Sequence, residues 1–308
     1  MMMSTDMATH IALWNLSSAF GRCREAPHPI TDIQALIRAN DDLPPLPEIT
    51  RRLLHFRDDP NANATGLAEI IELDPLLAGQ MLRWANSAYY GLRQPTENVR
   101  DAIVRALGFN VALALALALA ALRPLETPNQ GPIGRDRLWR HGLQCGVLMR
   151  ELAAGLPDDR RPPPGVIQLA GLTQNIGYLL LGHLLPDSFH LLSRLIERNA
   201  TLTLPALDRL ALDVEHGQLG QWLFEVWDMP PALQAVVRHH HNPGYEGEHA
   251  TLVLLTALAD SLLHDTQRGL GAPPIEPHTR ERLRERLGLD AEACALALER
   301  MRTPEDEE

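Results

Sequence analysis

Three consecutive histidines, His239, His240 and His241, stand just before Asn242-Pro243-Gly244. The Pro-Gly stop places them at a helix C-terminus. Imidazoles there bond the last free carbonyls and meet the negative end of the helix dipole. Asn86 and Ser87 interrupt an apolar helical stretch. They can contact a ligand or partner, or bond to the loop before Gly91 and lock two halves of a domain together. Buried polar groups are usually satisfied internally, so the second role is preferred. Trp222 and Trp227 flank Phe224. They read as core rather than as a base-stacking platform, because no basic groove accompanies them. Arg280, Arg282, Arg284 and Arg286 alternate with Glu281 and Glu285. Such a set is usually a solvated helix face, and it is the one local candidate for an acidic partner. The sequence holds no Walker loop, no GxSxG, no Cys-His nucleophile spacing and no zinc-finger pattern, which weakens those enzyme classes.

Composition narrows the choice further. Of the 308 residues 45% are hydrophobic, enough for a substantial core, while only 5% are aromatic. Leu and Ala dominate, which favours helix over sheet. A net charge of −11 argues against a broad nucleic-acid surface, though a local basic patch remains open. Cys23, Cys145 and Cys294 are far apart and form no CxxC pair, in keeping with a reduced, cytoplasmic setting. The first twenty residues carry Asp6 and no basic stretch, so no signal peptide is expected. The longest apolar run, Val111 to Leu122, is too short for a membrane span.

The elements that must position these side chains are predicted to be helices. Residues 1–42 read as an N-terminal extension with a short helix from Thr31 to Asn40, opened by the Thr31/Gln34 capping-box spacing. LPPLPE (Leu43 to Glu48) opens the next unit, with a helix over Leu46 to Phe56 and another from Asn63 through Glu72. Asp74-Pro75 is a strong helix start, a capping carboxylate followed by proline in the first turn. That helix buries Leu77, Met81, Trp84 or Ala85, and Ala88, and Gly91 ends it. Thr96 caps the following helix, which Gly108 ends. Val111 to Arg123 alternates Leu and Ala like a strand, yet neither residue is β-branched, so it is read as a buried helix. A Pro/Gly linker covers 124–134. Helices follow near 136–154, 166–184, 187–199, 204–212, 215–226, 231–240 and 249–264, and two short ones precede an acidic tail.

Several of these segments resemble the HDOD family. The matching stretches are LPPLPEITRRLL, GLAEIIELDPLLAGQMLRWANSAYYG and VRDAIVRALGF, then LWRHGLQCGVLMRELA, GLTQNIGYLLLGHL, VEHGQLGQWLFEVWDMP and AVVRHHHNP. Asp74, Pro75, Asn86 and Ser87 lie in its more specific motif. The resemblance covers residues 43 to 265. It implies an all-α helical bundle of the HD-domain type, with an N-terminal helical half (43–124) and a degenerate HD-like half (133–265), and residues 266–308 following as C-terminal helices and tail.

HD-superfamily phosphohydrolases, which the family is related to, hold one or two metals through a His, a His-Asp pair and a later Asp, sometimes with extra histidines. The metal lowers the pKa of a bound water so that hydroxide attacks phosphorus. The resemblance puts His141 at the first ligand, Gln174 and Asn175 where the His-Asp pair would fall, His216 at an auxiliary position, His239 and His240 at the HH pair, and Asp260 at the final aspartate. Tyr178 stands where active relatives often carry Lys. A neutral amide cannot supply a bridging carboxylate's charge, and Gln is no imidazole. The expectation is therefore a non-catalytic module with no catalytic residue, cofactor or resident metal, acting through contacts with signalling proteins and possessing surfaces for self-association. Three other readings stay in view: a nucleotide or cyclic-dinucleotide sensor using the relic pocket, a single metal held by His141, His216, His240 and Asp260, and a residual metal-dependent phosphohydrolase.

Overall fold

A computed structural model describes residues 43–87, 90, 92–199, 201–266, 268–270 and 277–301. Among these residues every regular element is a helix and no strand forms. The N-terminal extension, the expected helix from Thr31 to Asn40, Gly91 and the acidic tail lie outside them.

The N-terminal half is built from short, capped helices. α1 (Glu48–Arg57) follows the proline-rich stretch, whose Leu43 and Leu46 are buried. α2 (Ala64–Glu72) is capped by the Asn63 side chain, which accepts from the backbone of Thr65 and Gly66. In α3 (Pro75–Ala85) the Asp74 carboxylate accepts from Leu76 and Leu77 backbone N–H groups, satisfying donors that no helix can pair internally. Leu77, Met81 and Ala85 form its buried face, with Trp84 half-buried. The helix stops at Ala85, earlier than the glycine signal suggested. The reason is Asn86, whose amide pairs in both directions with the backbone of Thr96, at 2.8 and 2.7 Å. Thr96 is thus a clamp and not the cap of the next helix. That cap is Asn98, whose side chain accepts from Asp101 N at 2.8 Å to open α4 (Val99–Ala102). A π-helical turn, Ile103–Leu107, continues α4 to Gly108, which has φ of 73°.

α5 (Phe109–Leu122) is the Leu/Ala segment, and it is helical. It is apolar all round and buried almost throughout, as a helix central to a bundle should be. It packs on α1 on one side and on α7 of the second half on the other. The second half comprises α6 (Arg135–Ala153), α7 (Pro164–Thr173), α8 (Ile176–Leu184), α9 (Pro186–Arg198), α10 (Leu204–Leu212), α11 (His216–Val226), α12 (Pro231–His239) and α13 (Ala250–Asp265). α14 (Pro277–Leu287) and α15 (Ala291–Met301) pack on α13 and α6 respectively.

The single helix expected over 166–184 is two helices, broken at Gln174-Asn175. Two close approaches fix this region. α6 and α7 cross on glycines: a Cβ on Gly171 would lie 2.4 Å from the Gly146 nitrogen. α8 meets α11 so tightly that a Cβ on Gly177 would lie 1.9 Å from the His216 carbonyl oxygen. Trp222, Phe224 and Trp227 are buried, as core residues. The arginine-rich α14 is more than a solvated face. Leu283 and Leu287 are fully buried, Arg280 bonds Ser261 and Asp265, and Arg286 donates to the carbonyls of Pro243 and Tyr245. Among the described residues no helix is long and apolar enough to cross a membrane.

Candidate functional site

The break between α7 and α8 places Gln174 and Asn175 in the interior, 0% and 7% exposed. Around them converge His141 from α6, His216 from the start of α11, His240 and His241 from the end of α12, and Asp260 from α13. These side chains sort into two groups.

The first is built on His141. Its Nδ1 faces the Arg268 carbonyl oxygen at 3.2 Å and its Nε2 lies 3.0 Å from an Asp260 carboxylate oxygen. Both nitrogens face acceptors. Burial alone would push the Asp260 carboxyl up. The hydrogen bond and charge of His141, with His241 and His240, outweigh it and hold Asp260 well below the usual carboxylate range. Gln174 sets its amide nitrogen 3.5 Å from His141 Nε2, while its Oε1 is buried without a partner. Cys145 sits beside this group. Burial, then the Asp260 charge, raises its thiol far above the ordinary value, so no thiolate nucleophile is available there.

The second group is built on Asp208, which is completely buried on α10. Its carboxylate accepts from the Tyr178 hydroxyl at 3.1 Å, from His216 N at 3.0 Å and from His216 Nδ1 at 2.5 Å. Tyr178 also stacks on the His216 ring, centroids 4.2 Å apart. Burial, then the Asp208 charge, raises the phenol well above its usual value. His240 Nδ1 lies 3.1 and 3.0 Å from the carbonyl oxygens of Val236 and Val237, so it donates. Both rings therefore present Nε2 to one another, 3.2 Å apart, with each Nδ1 already committed as a donor. Two facing lone pairs repel, and a metal ion placed between them would relieve that repulsion. His241 joins them: the three imidazoles offer ligand atoms within 4.8 Å of one another, and His241 Nε2 is buried without a partner. Burial, then the neighbouring His216, pushes His241 down to about 4, and burial with His241 and His216 holds His240 well below the usual imidazole range.

This donor set has room for one cation and does not fit a two-metal hydrolytic centre. Asp208 is consumed by three donors, Asp260 is paired to His141, and Gln174 and Asn175 are neutral, so no carboxylate is left to bridge two ions.

Of the residues expected from sequence, His141, Gln174, Asn175, His216, His240 and Asp260 come together. His239 is not in the buried cluster: it lines the adjoining cavity and stacks on Tyr245, centroids 4.5 Å apart, and His241 packs beside His240 instead. Asp74 and Pro75 serve helix α3, and Asp74 also pairs with Arg123. Asn86 clamps Thr96, and the Ser87 hydroxyl donates to the Trp84 carbonyl at 2.7 Å. Asp208 and Tyr178 were not visible as a pair in the sequence. Asp208 follows Leu207 in an ordinary amphipathic helix, and only its thirty-residue separation from Tyr178 closed in space reveals it.

A model of the HDOD domain matches residues 43–243. A Marinobacter aquaeolei VT8 structure, provisionally described as a signal transduction protein, is similar at 30% identity and a TM-score of 0.76, with 94% of this chain and 63% of that chain covered. An HDOD domain protein of unknown function from Geobacter sulfurreducens shares the fold, at 21% identity and a TM-score of 0.70, over 86% of this chain and 92% of its own. An uncharacterized protein of Treponema pallidum (strain Nichols) is 26% identical over 223 residues, 71% of this chain and 42% of its own length. The chain thus spans under two thirds of the Marinobacter and Treponema proteins.

Proposed function

The chain belongs to the HDOD domain family, and from that premise we propose that it is a non-catalytic regulatory module that works by protein–protein contact. The observation that carries this reading is the amide pair at the α7–α8 break. Gln174 and Asn175 sit in the buried heart of the site, where a hydrolase of this fold would need a metal-binding imidazole and carboxylate. The two buried carboxylates are already paired, Asp260 with His141 and Asp208 with His216, and leave no free charge to hold a second cation.

Two further observations support a contact role. Leu73, Leu76 and Val104 are each more than 60% exposed on the N-terminal helices, where large apolar side chains suit a partner. The provisional description of the Marinobacter protein points the same way. The test is affinity capture with the full chain, with and without added nucleotides, followed by direct binding of the purified partner. The reading expects a protein that binds the purified chain directly and loses affinity when Leu76 and Val104 are both changed to Asp. Partner binding that is indifferent to that double change would remove the surface from the account.

A further inference from the structure

A second cleft lies between the N-terminal helices and the HD-like half, bounded by α3, α5, α6, α7 and α8. Its volume, about 570 Å³, is in the range of small-molecule sites. The floor is apolar, with Leu119, Leu172 and Ile176 among its lining. Trp84 from one half and Trp139 from the other meet on its wall, half-buried, with ring centroids 5.8 Å apart.

Charge sets this cleft apart. In a chain of net charge −11 it gathers Arg83, Arg123, Arg135 and Arg140 against a single carboxylate, Asp136. Two of the four are occupied: Arg123 pairs with Asp74, and Arg135 donates to the carbonyls of Leu122 and Leu125. Arg83 and Arg140 are exposed and have no hydrogen-bond or ion-pair partner among the described residues. Free guanidinium groups and two indoles lining one cleft are equipped to take an anion that carries a flat ring.

The cleft also reaches Asn175, the same neutral residue that lines the histidine cavity on its other side. Asn175 is more than nine-tenths buried, and its Oδ1 has no partner. A carboxylate at this position would set a negative charge beneath the arginines and repel an anion. The amide does not, and it has both a donor and an acceptor to offer. The histidine cavity is less suited to the same ligand. Its arginines, Arg209 and Arg238, are both held by Glu215, and it carries the Asp260 carboxylate.

We propose that the cleft between the two halves binds a nucleotide, with the base against Trp84 and Trp139, the phosphate on Arg83 and Arg140, and Asn175 at the floor. Because the ligand would touch both halves, it supplies a small-molecule input to the regulatory module proposed above. The site itself stands on its own geometry, and its test is separate from partner capture.

The experiment titrates the full chain with GMP and with AMP, by calorimetry and by quenching of tryptophan fluorescence, with inorganic phosphate as the ring-free control. Saturable binding below about 1 mM is expected, with quenching that Trp84→Phe reduces. The exposed pair Arg83→Ala and Arg140→Ala should weaken binding roughly tenfold or more, the loss of a charge-assisted contact. Asn175→Asp should weaken it by at least as much, with circular dichroism showing an unchanged helix content. Arg238→Ala, in the histidine cavity, should leave affinity as it is. Absence of saturable nucleotide binding overturns the proposal. So does affinity lost with Arg238→Ala and kept in the Arg83/Arg140 variant, which would move the ligand to the histidine cavity. Phosphate binding as tight as that of the nucleotides overturns the assignment of a base-reading site.

Discussion

At the scale of single residues, the most consequential group is Asp208. A buried carboxylate is tolerated only when its lone pairs are met, and here Tyr178 and His216 meet them with three donors. Asp208→Asn removes the charge that orients His216 and should cost about 3 kcal/mol or more in chemical denaturation. A loss under about 1 kcal/mol, the worth of a typical hydrogen bond, would show that the pair is not the anchor described. The histidines beyond it set a pH dependence with a definite sign. His240 and His241 are held below the ordinary imidazole value of 6.5, His241 at about 4, so the unfolded chain binds protons that the folded chain refuses. Their contribution is fully present above pH 6.5 and is lost as pH falls from 6.5 toward 4. Asp260, shifted down from 3.8, adds stability that is lost only as the pH falls further. With chelator present, stability should therefore fall between pH 7 and 4.5, by up to about 1.4 kcal/mol per pH unit for each proton taken up on unfolding. His241→Gln should flatten that slope, and a flat or rising wild-type profile would contradict the reading. The lysine-free pocket was partly legible in the sequence, because His141, His216 and Asp260 sit in recognisable segments. Asp208 was not, because a lone aspartate in LPALDRL has the pattern of a solvated helix face. Nor was the choice between His239 and His241, since three adjacent histidines at a helix end diverge by about 100° each and only the packed fold decides which point inward.

At the scale of elements, caps and propensity carried most of the information. Asn63, Asp74-Pro75 and the Leu/Ala helix could be read locally, because each depends on neighbours within a turn or on the lack of β-branching. The break at Gln174-Asn175 could not. Neither residue is a helix breaker, and the interruption falls between two glycine crossings far apart in sequence, where α7 meets α6 and α8 meets α11. Those crossings yield a paired prediction of opposite sign. Gly177→Ala adds a Cβ 1.9 Å from the His216 carbonyl oxygen, so α8 and α11 must separate at a cost of about 2 kcal/mol or more. Gly79→Ala, in the middle of α3 with nothing within 4 Å of the new Cβ, should stabilise by up to about 1 kcal/mol through helix propensity. Thermal or urea unfolding of the two variants distinguishes them directly. Stabilisation by Gly177→Ala would mean that the two helices are not in the contact described.

At the scale of the whole molecule, the two halves share one hydrophobic core that runs from Leu43 to Met301. α5 lies across the junction, and the Trp227 indole donates to the Pro44 carbonyl at 3.2 Å, tying the proline-rich entry to the HD-like half. The histidine cavity and the arginine-lined cleft meet at Asn175, which lines both. Restoring a His-Asp pair by Gln174→His with Asn175→Asp would return two candidate ligands. Ligand orientation depends on supporting hydrogen bonds, and Asp208 and Asp260 are already committed elsewhere, so the double variant should gain manganese affinity before it gains turnover. The central claim, regulation without catalysis, is tested most directly by one measurement: manganese-dependent hydrolysis of cyclic dinucleotides, nucleoside monophosphates and an aryl phosphodiester by the wild-type chain. Hydrolysis of these esters is very slow without a catalyst, so any competent centre would stand out clearly. The wild-type rate is expected to be no higher than that of His141→Ala. Manganese-dependent turnover by the wild type, abolished by both His141→Ala and Asp260→Ala, would contradict it and make this protein an enzyme.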